Sequence, residues 1–120
     1  MNGWKRRASQ LVGGGSALYG LSVLALPGSL AKQLALDDPT APASRLLAIT
    51  FGVRDLVSGV SILGARNRDA LRAALLLRGI MDGGDAIACA LLLSDRGARA
   101  RAVGVAGTWA VLSFGVATMV

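Results

Sequence analysis

Histidine and glutamate are absent from this chain, and cysteine, proline and the aromatic residues are scarce. Without histidine there is no imidazole base and no His-ligated metal. Without glutamate there is no Glu-based proton carrier. The single cysteine, Cys89, excludes an intrachain disulfide, and its place in an apolar run reads as that of an inert, small packing residue. Aromatics make up only 4% of the residues, so a core of large rings is not available.

What the chain has instead is apolar and small. Of its 120 residues 53% are hydrophobic and 16 are glycine, and the mean hydropathy is +0.56. That is one domain, too apolar for an ordinary soluble one. Small residues let helices approach closely inside a membrane.

The net charge is +6. Its distribution argues against nucleic acid as a partner, because the cations cluster at the ends of apolar runs. Lys5, Arg6 and Arg7 precede the first run, Arg66, Arg68 and Arg72 bracket a short turn, and Arg96, Arg99 and Arg101 fill another. Clusters so placed read as topology signals and lipid headgroup contacts.

Four apolar runs, each near the length that a bilayer requires, predict an all-α, integral membrane four-helix bundle. A basic leader, 1–8, precedes the first span, 9–26. A basic leader before an apolar run also has the outline of a secretory signal, with Arg6-Arg7 at a twin-arginine-like position, but the run is read as a membrane span. Pro27-Gly28 ends it. An interfacial segment, 29–43, opens with an amphipathic piece, 29–36. Ser44 is the expected N-cap of the second span, 44–64. A tight turn, 65–69, predicts an antiparallel hairpin with the third span, 70–93. A basic loop, 94–102, leads to the fourth, 103–120. On the second span Ala48, Gly52, Asp55 and Gly59 share one face, a stripe suited to close contact with a neighbouring helix. Gly13-Gly14-Gly15 has neither the spacing nor the context of a nucleotide-binding loop and reads as a contact or kink element.

Both termini are expected on one side. With the N-terminus inside, six cations lie inside (Lys5, Arg6, Arg7, Arg66, Arg68, Arg72) against five outside (Lys32, Arg45, Arg96, Arg99, Arg101). This bias favours cytoplasmic termini, in a bacterial inner membrane, and its smallness leaves room for dual topology.

The candidate site is a set of charges at membrane depth. Arg78, Asp82 and Asp85 stand at i, i+4 and i+7 on one helix face. Arg54 and Asp55 occupy the middle of the preceding span. Charges at this depth are costly, face a bundle interior and mark sites. Centring the hairpin on Asn67 puts Asp55 level with Gly79 and Arg54 level with Ile80. Side-chain reach then predicts the pairs Asp55–Arg78 and Arg54–Asp82, with Arg78–Asp82 along one helix as the competing arrangement. Two Arg facing three Asp leave one carboxylate over, and Asp85 is the expected one. An acid left without a cation is a proton donor, a proton carrier or half of a cation site. Asp82 and Asp85 are therefore the candidate catalytic residues, with Arg54, Asp55 and Arg78 as binding residues. Tyr19 and Ser113 fall near the same depth and are candidates to hydrogen-bond the cluster or a ligand. Trp109 lies too deep in the fourth span for a headgroup anchor, so it either lines the bundle or marks a misplaced boundary. Gly83-Gly84, between the two acids, is a candidate for opening the helix. The adjacent Arg residues argue against a metal site, and no cofactor is called for.

The segment Arg45-Leu46-Leu47, Phe51-Gly52-Val53-Arg54-Asp55-Leu56 and Gly59, followed by Arg78-Gly79, Asp82 and Asp85, resembles a family of small bacterial four-helix membrane proteins similar to the DoxX-like group. The resemblance covers 44–93. It implies a four-helix bundle, with Arg54, Asp55, Arg78 and Asp82 as motif positions, and supplies no reaction.

Three functions compete. A pocket among the helices, open to membrane lipid, would bind a small lipophilic molecule and convert it by proton transfer, as in an isomerase or cyclase. A proton-coupled small transporter would work as a homodimer, although the first span lacks any embedded acid. A non-catalytic accessory or assembly subunit would use the charges only to fix helix register within a larger membrane complex. A substrate-sized cavity touching a carboxylate favours the first, and a closed cluster with every carboxylate paired favours the last.

Overall fold

The computed structural model describes residues 2–120. It is all-helical: α1 (Gly3–Ala25), α2 (Pro27–Gln33), α3 (Pro42–Leu63), α4 (Arg68–Leu92) and α5 (Arg96–Met119), with no strand among the described residues.

Helix ends follow local chemistry more than hydropathy. α1 starts well before the apolar run, so the basic leader is helical, and Ser9 Oγ bonds back to the Lys5 carbonyl at 3.0 Å. It stops at Ala25 because Leu26 precedes a proline and leaves helical geometry (φ −129°, ψ 73°). Pro27 then opens α2, turned by 105° from α1. α2 closes in a left-handed cap: Ala35 has φ 52°, and Leu36 N–H and Ala35 N–H bond to the Ala31 and Lys32 carbonyls. Asp38 then accepts from both the hydroxyl and the N–H of Thr40, which hold its carboxyl below the usual range.

Three expected boundaries are corrected. Ser44 does not cap α3: Pro42 begins the helix after Ala41, and Ser44 Oγ donates to the Asp38 carbonyl at 2.8 Å. Asn67 and Asp95 do cap, accepting from Ala70 N–H and Ala98 N–H at 2.8 Å each, and each starts its helix earlier than the apolar run begins. The expected loop 94–102 is thus mostly the first turns of α5. Gly83 and Gly84 do not open α4, which stays helical throughout.

The long helices form two close antiparallel pairs, α1 with α3 and α4 with α5. The small-residue stripe of α3 is what seats it on α1. A Cβ on Gly20 would stand 2.5 Å from Leu56 N and 2.6 Å from Gly52 O, so the two backbones touch. Gly13 meets Ile62 and Gly59 in the same way, and Gly15 faces the Trp109 ring of α5. Gly13 and Gly15 are therefore contact positions in a continuous helix, while a Cβ on Gly14 would meet nothing within 4 Å. α3 and α4, by contrast, approach each other little, so the hairpin expected between them is one of sequence and not of close contact.

One apolar cluster (Val12, Ile62, Leu71, Leu75, Val116) fills the end that holds both termini, and a second (Val23, Leu30, Ala48) lies under α2. The charged residues occupy the layer between. α3 and α5 are long and apolar enough to cross a membrane, and the pair α1–α2, bent by 105°, adds a third such segment only if the two form one span. Every 18-residue stretch of α4 contains Arg78, Asp82 and Asp85, which keeps it outside that class. Many large apolar side chains point outward, among them Leu92, Leu91, Leu11 and Val111.

Candidate functional site: a charged layer beside an apolar cavity

Because α3 and α4 stand apart, long side chains span the gap. Arg78 is buried and reaches three helices. Its Nη1 donates to Asp55 Oδ1 on α3 at 2.9 Å and to Ser16 Oγ on α1 at 2.5 Å, and its Nε to Asp82 Oδ2 on α4 at 2.7 Å. Ser16 Oγ in turn donates a hydrogen bond to the Asp55 backbone carbonyl at 2.7 Å. Arg54 forms a fork with Asp85, at 2.9 Å from Nη1 and 2.5 Å from Nη2, and lies 3.4 Å from Asp55 Oδ1. The Phe51 ring backs it, 4.3 Å from the guanidinium carbon.

The expected Asp55–Arg78 pair is present, and Arg78–Asp82 accompanies it. The expected Arg54–Asp82 pair is not: Arg54 turns one helical turn further along α4, to Asp85. Asp85 is therefore not the carboxylate left over. The surplus is shared instead. Among the described residues Asp55 takes both its hydrogen bonds on Oδ1 and Asp82 its one on Oδ2, so each keeps an oxygen without a partner.

Beside this layer lies a cavity of about 520 Å³, bounded by Ser16, Tyr19, Leu30, Gln33, Leu34, Phe51, all five charged residues, Cys89, Arg101, Val105, Ala106 and Trp109. Its walls are largely apolar. Tyr19 lines it without bonding the charges, since its hydroxyl donates to Gln33 Oε1 at 2.9 Å and ties α2 to α1. Ser113, fully buried, lies outside the lining, and its hydroxyl has no partner among the described residues. Cys89, expected to be mere filling, is on the wall. Trp109 does line the interior, and with α5 starting at Arg96 it stands near the middle of the helix. Ser16, Phe51 and Arg101 were not singled out from sequence. Ser16 is one more small residue on the Gly13–Gly20 face of α1, and Arg101 was placed in a loop. Among the described residues no three acids or thiols converge as metal ligands.

The chain matches no protein-family model, no curated protein and no solved structure.

Proposed function

We propose that this protein crosses the membrane four times as a helical bundle and binds a small lipophilic molecule in the cavity beside Asp82 and Asp85. One observation carries the reading: an apolar cavity of substrate size touches carboxylates that keep an unused oxygen. Proton-transfer chemistry, isomerisation or cyclisation, suits such a group. Asp82 stands against the ligand to give or take a proton, Arg78 holds it in place, and the Arg54–Asp85 fork ties α3 to α4 one turn further along. The bundle would place its termini and the α3–α4 turn on the cytoplasmic side of a bacterial inner membrane, with α2 at the other interface. The motif positions Arg54, Asp55, Arg78 and Asp82 are those of the DoxX-like resemblance, and all four line the cavity.

A second reading draws on the pairing itself. Each of the three carboxylates already has a guanidinium partner, as in a register-fixing cluster of an accessory subunit.

Mass spectrometry of small molecules that co-purify with the protein separates the two. Wild type is expected to carry a lipophile that Ala106→Phe, which sets a ring into the cavity, loses while remaining folded. Equal recovery from both proteins would sink the ligand reading in favour of the accessory one.

A further inference from the structure

Three arginines line the cavity, and the guanidiniums of two are taken. Arg78 is held by Asp55, Asp82 and Ser16, and Arg54 by Asp85 and Asp55. The third, Arg101, makes no ion pair among the described residues. It stands in the second turn of α5, exposed, with its Nη1 over Gly97. The nearby Asp95 carboxylate caps α5 and stays beyond ion-pair distance. Eight residues separate Arg101 from Trp109, roughly 12 Å along the helix axis. The wall between them is Val105 and Ala106. The cavity thus has a free cation at its outer end, an apolar stretch, and an inner layer in which three carboxylates face two guanidiniums.

Resting on the reading of this cavity as a lipophile site, we propose that its ligand is a lipophilic anion, held at Arg101 by its acidic end with its apolar body along Val105, Ala106 and Trp109. A guanidinium offers a planar fork of donors that fits the oxygens of a carboxylate or phosphate. The inner carboxylates repel the same group, so the charge pattern allows one orientation: acid outward, apolar end toward the Asp82 layer. Arg101 is then a binding residue that selects the ligand class, while the inner layer meets the part of the molecule remote from the acid.

Trp109 reports occupancy. In a Trp4→Phe background it is the one tryptophan left, and bromine quenches it on contact. The probes are a brominated long-chain carboxylic acid, at a pH where it is ionised, and its methyl ester. Both are titrated into the protein in zwitterionic nanodiscs, with an Ala106→Phe version of each protein subtracting quenching from the bilayer. The acid is expected to quench at about tenfold lower concentration than the ester, the size of one charge-assisted contact. Arg101→Gln is expected to erase that difference. Equal quenching by acid and ester, or a preference that survives Arg101→Gln, overturns the anion proposal and leaves the lipophile site standing. Quenching that Ala106→Phe does not reduce overturns both.

Discussion

Arg78 joins α1, α3 and α4 through one guanidinium, and its removal leaves Asp55 and Asp82 buried without a cation. Arg78→Leu is therefore expected to cost about 3–5 kcal/mol, the loss typical of breaking one half of a buried ion pair. Arg78→Lys should rescue little, since an ammonium cannot reproduce donors from both Nε and Nη1. Arg54→Gln should cost less, because the Asp85 side chain keeps 19% of its surface exposed. Denaturant titration followed by tryptophan emission ranks the three, and an Arg54→Gln loss as large as that of Arg78→Leu would contradict this account. Much of this layer was legible from spacing: the charges were found, and Asp55–Arg78 was paired correctly. Arg54 was given Asp82 in place of Asp85 because a depth count along a hairpin is uncertain by a turn, and those acids are one turn apart. Ser16 escaped because a serine in an apolar helix carries no signal until the helix that it faces is known.

Two kinds of small-residue position separate at the level of the helix. At Gly20 an added Cβ meets the Leu56 and Gly52 backbones, atoms that no rotamer change can move. Gly20→Ala must push α1 off α3, at an expected 1–3 kcal/mol. At Gly83 and Gly84 a Cβ meets nothing within 4 Å. Alanine there should be tolerated and gain roughly 0.5–1 kcal/mol from helix propensity. Ala35 is the converse, a left-handed position (φ 52°) filled by an L-residue, and Ala35→Gly should gain about 1 kcal/mol. Thermal unfolding of the four variants checks the signs, and a destabilised Gly83→Ala would mean that something unseen occupies that face. The stripe that packs α3 was readable from its period alone. The helix starts were misplaced because hydropathy marks where a membrane would begin, whereas Asn67 and Asp95 mark where hydrogen bonding begins.

For the whole molecule, the ends carry the testable claim. The α3–α4 turn and the α4–α5 turn lie at opposite ends of the helices, and the proposed four crossings would put them in different compartments. In a Cys89→Ser background, Arg66→Cys and Ser94→Cys, both at exposed positions, should react with an impermeant thiol reagent from opposite faces of intact vesicles. Labelling of both from one face would remove the four-crossing topology. The length of the apolar runs made the helical class plain, and five helices bear it out. The cavity was beyond the sequence, because it arises from the distance between α3 and α4, which no local pattern encodes.

That distance bears on how the chain is made. Synthesis delivers α1 and α3 first, and their close pair leaves Arg54 and Asp55 with no partner but each other. α4 follows, with three charges that cost roughly 2.5–3.5 kcal/mol each at mid-bilayer when an isolated helix enters. In the proposed topology it would not enter alone: Asp55 would already wait for Arg78, and Arg54 for Asp85, the pairs of the folded protein. In the proposed four-crossing topology the first hairpin would thus act as a template for the second, and the order of translation would itself help to make α4 insertable.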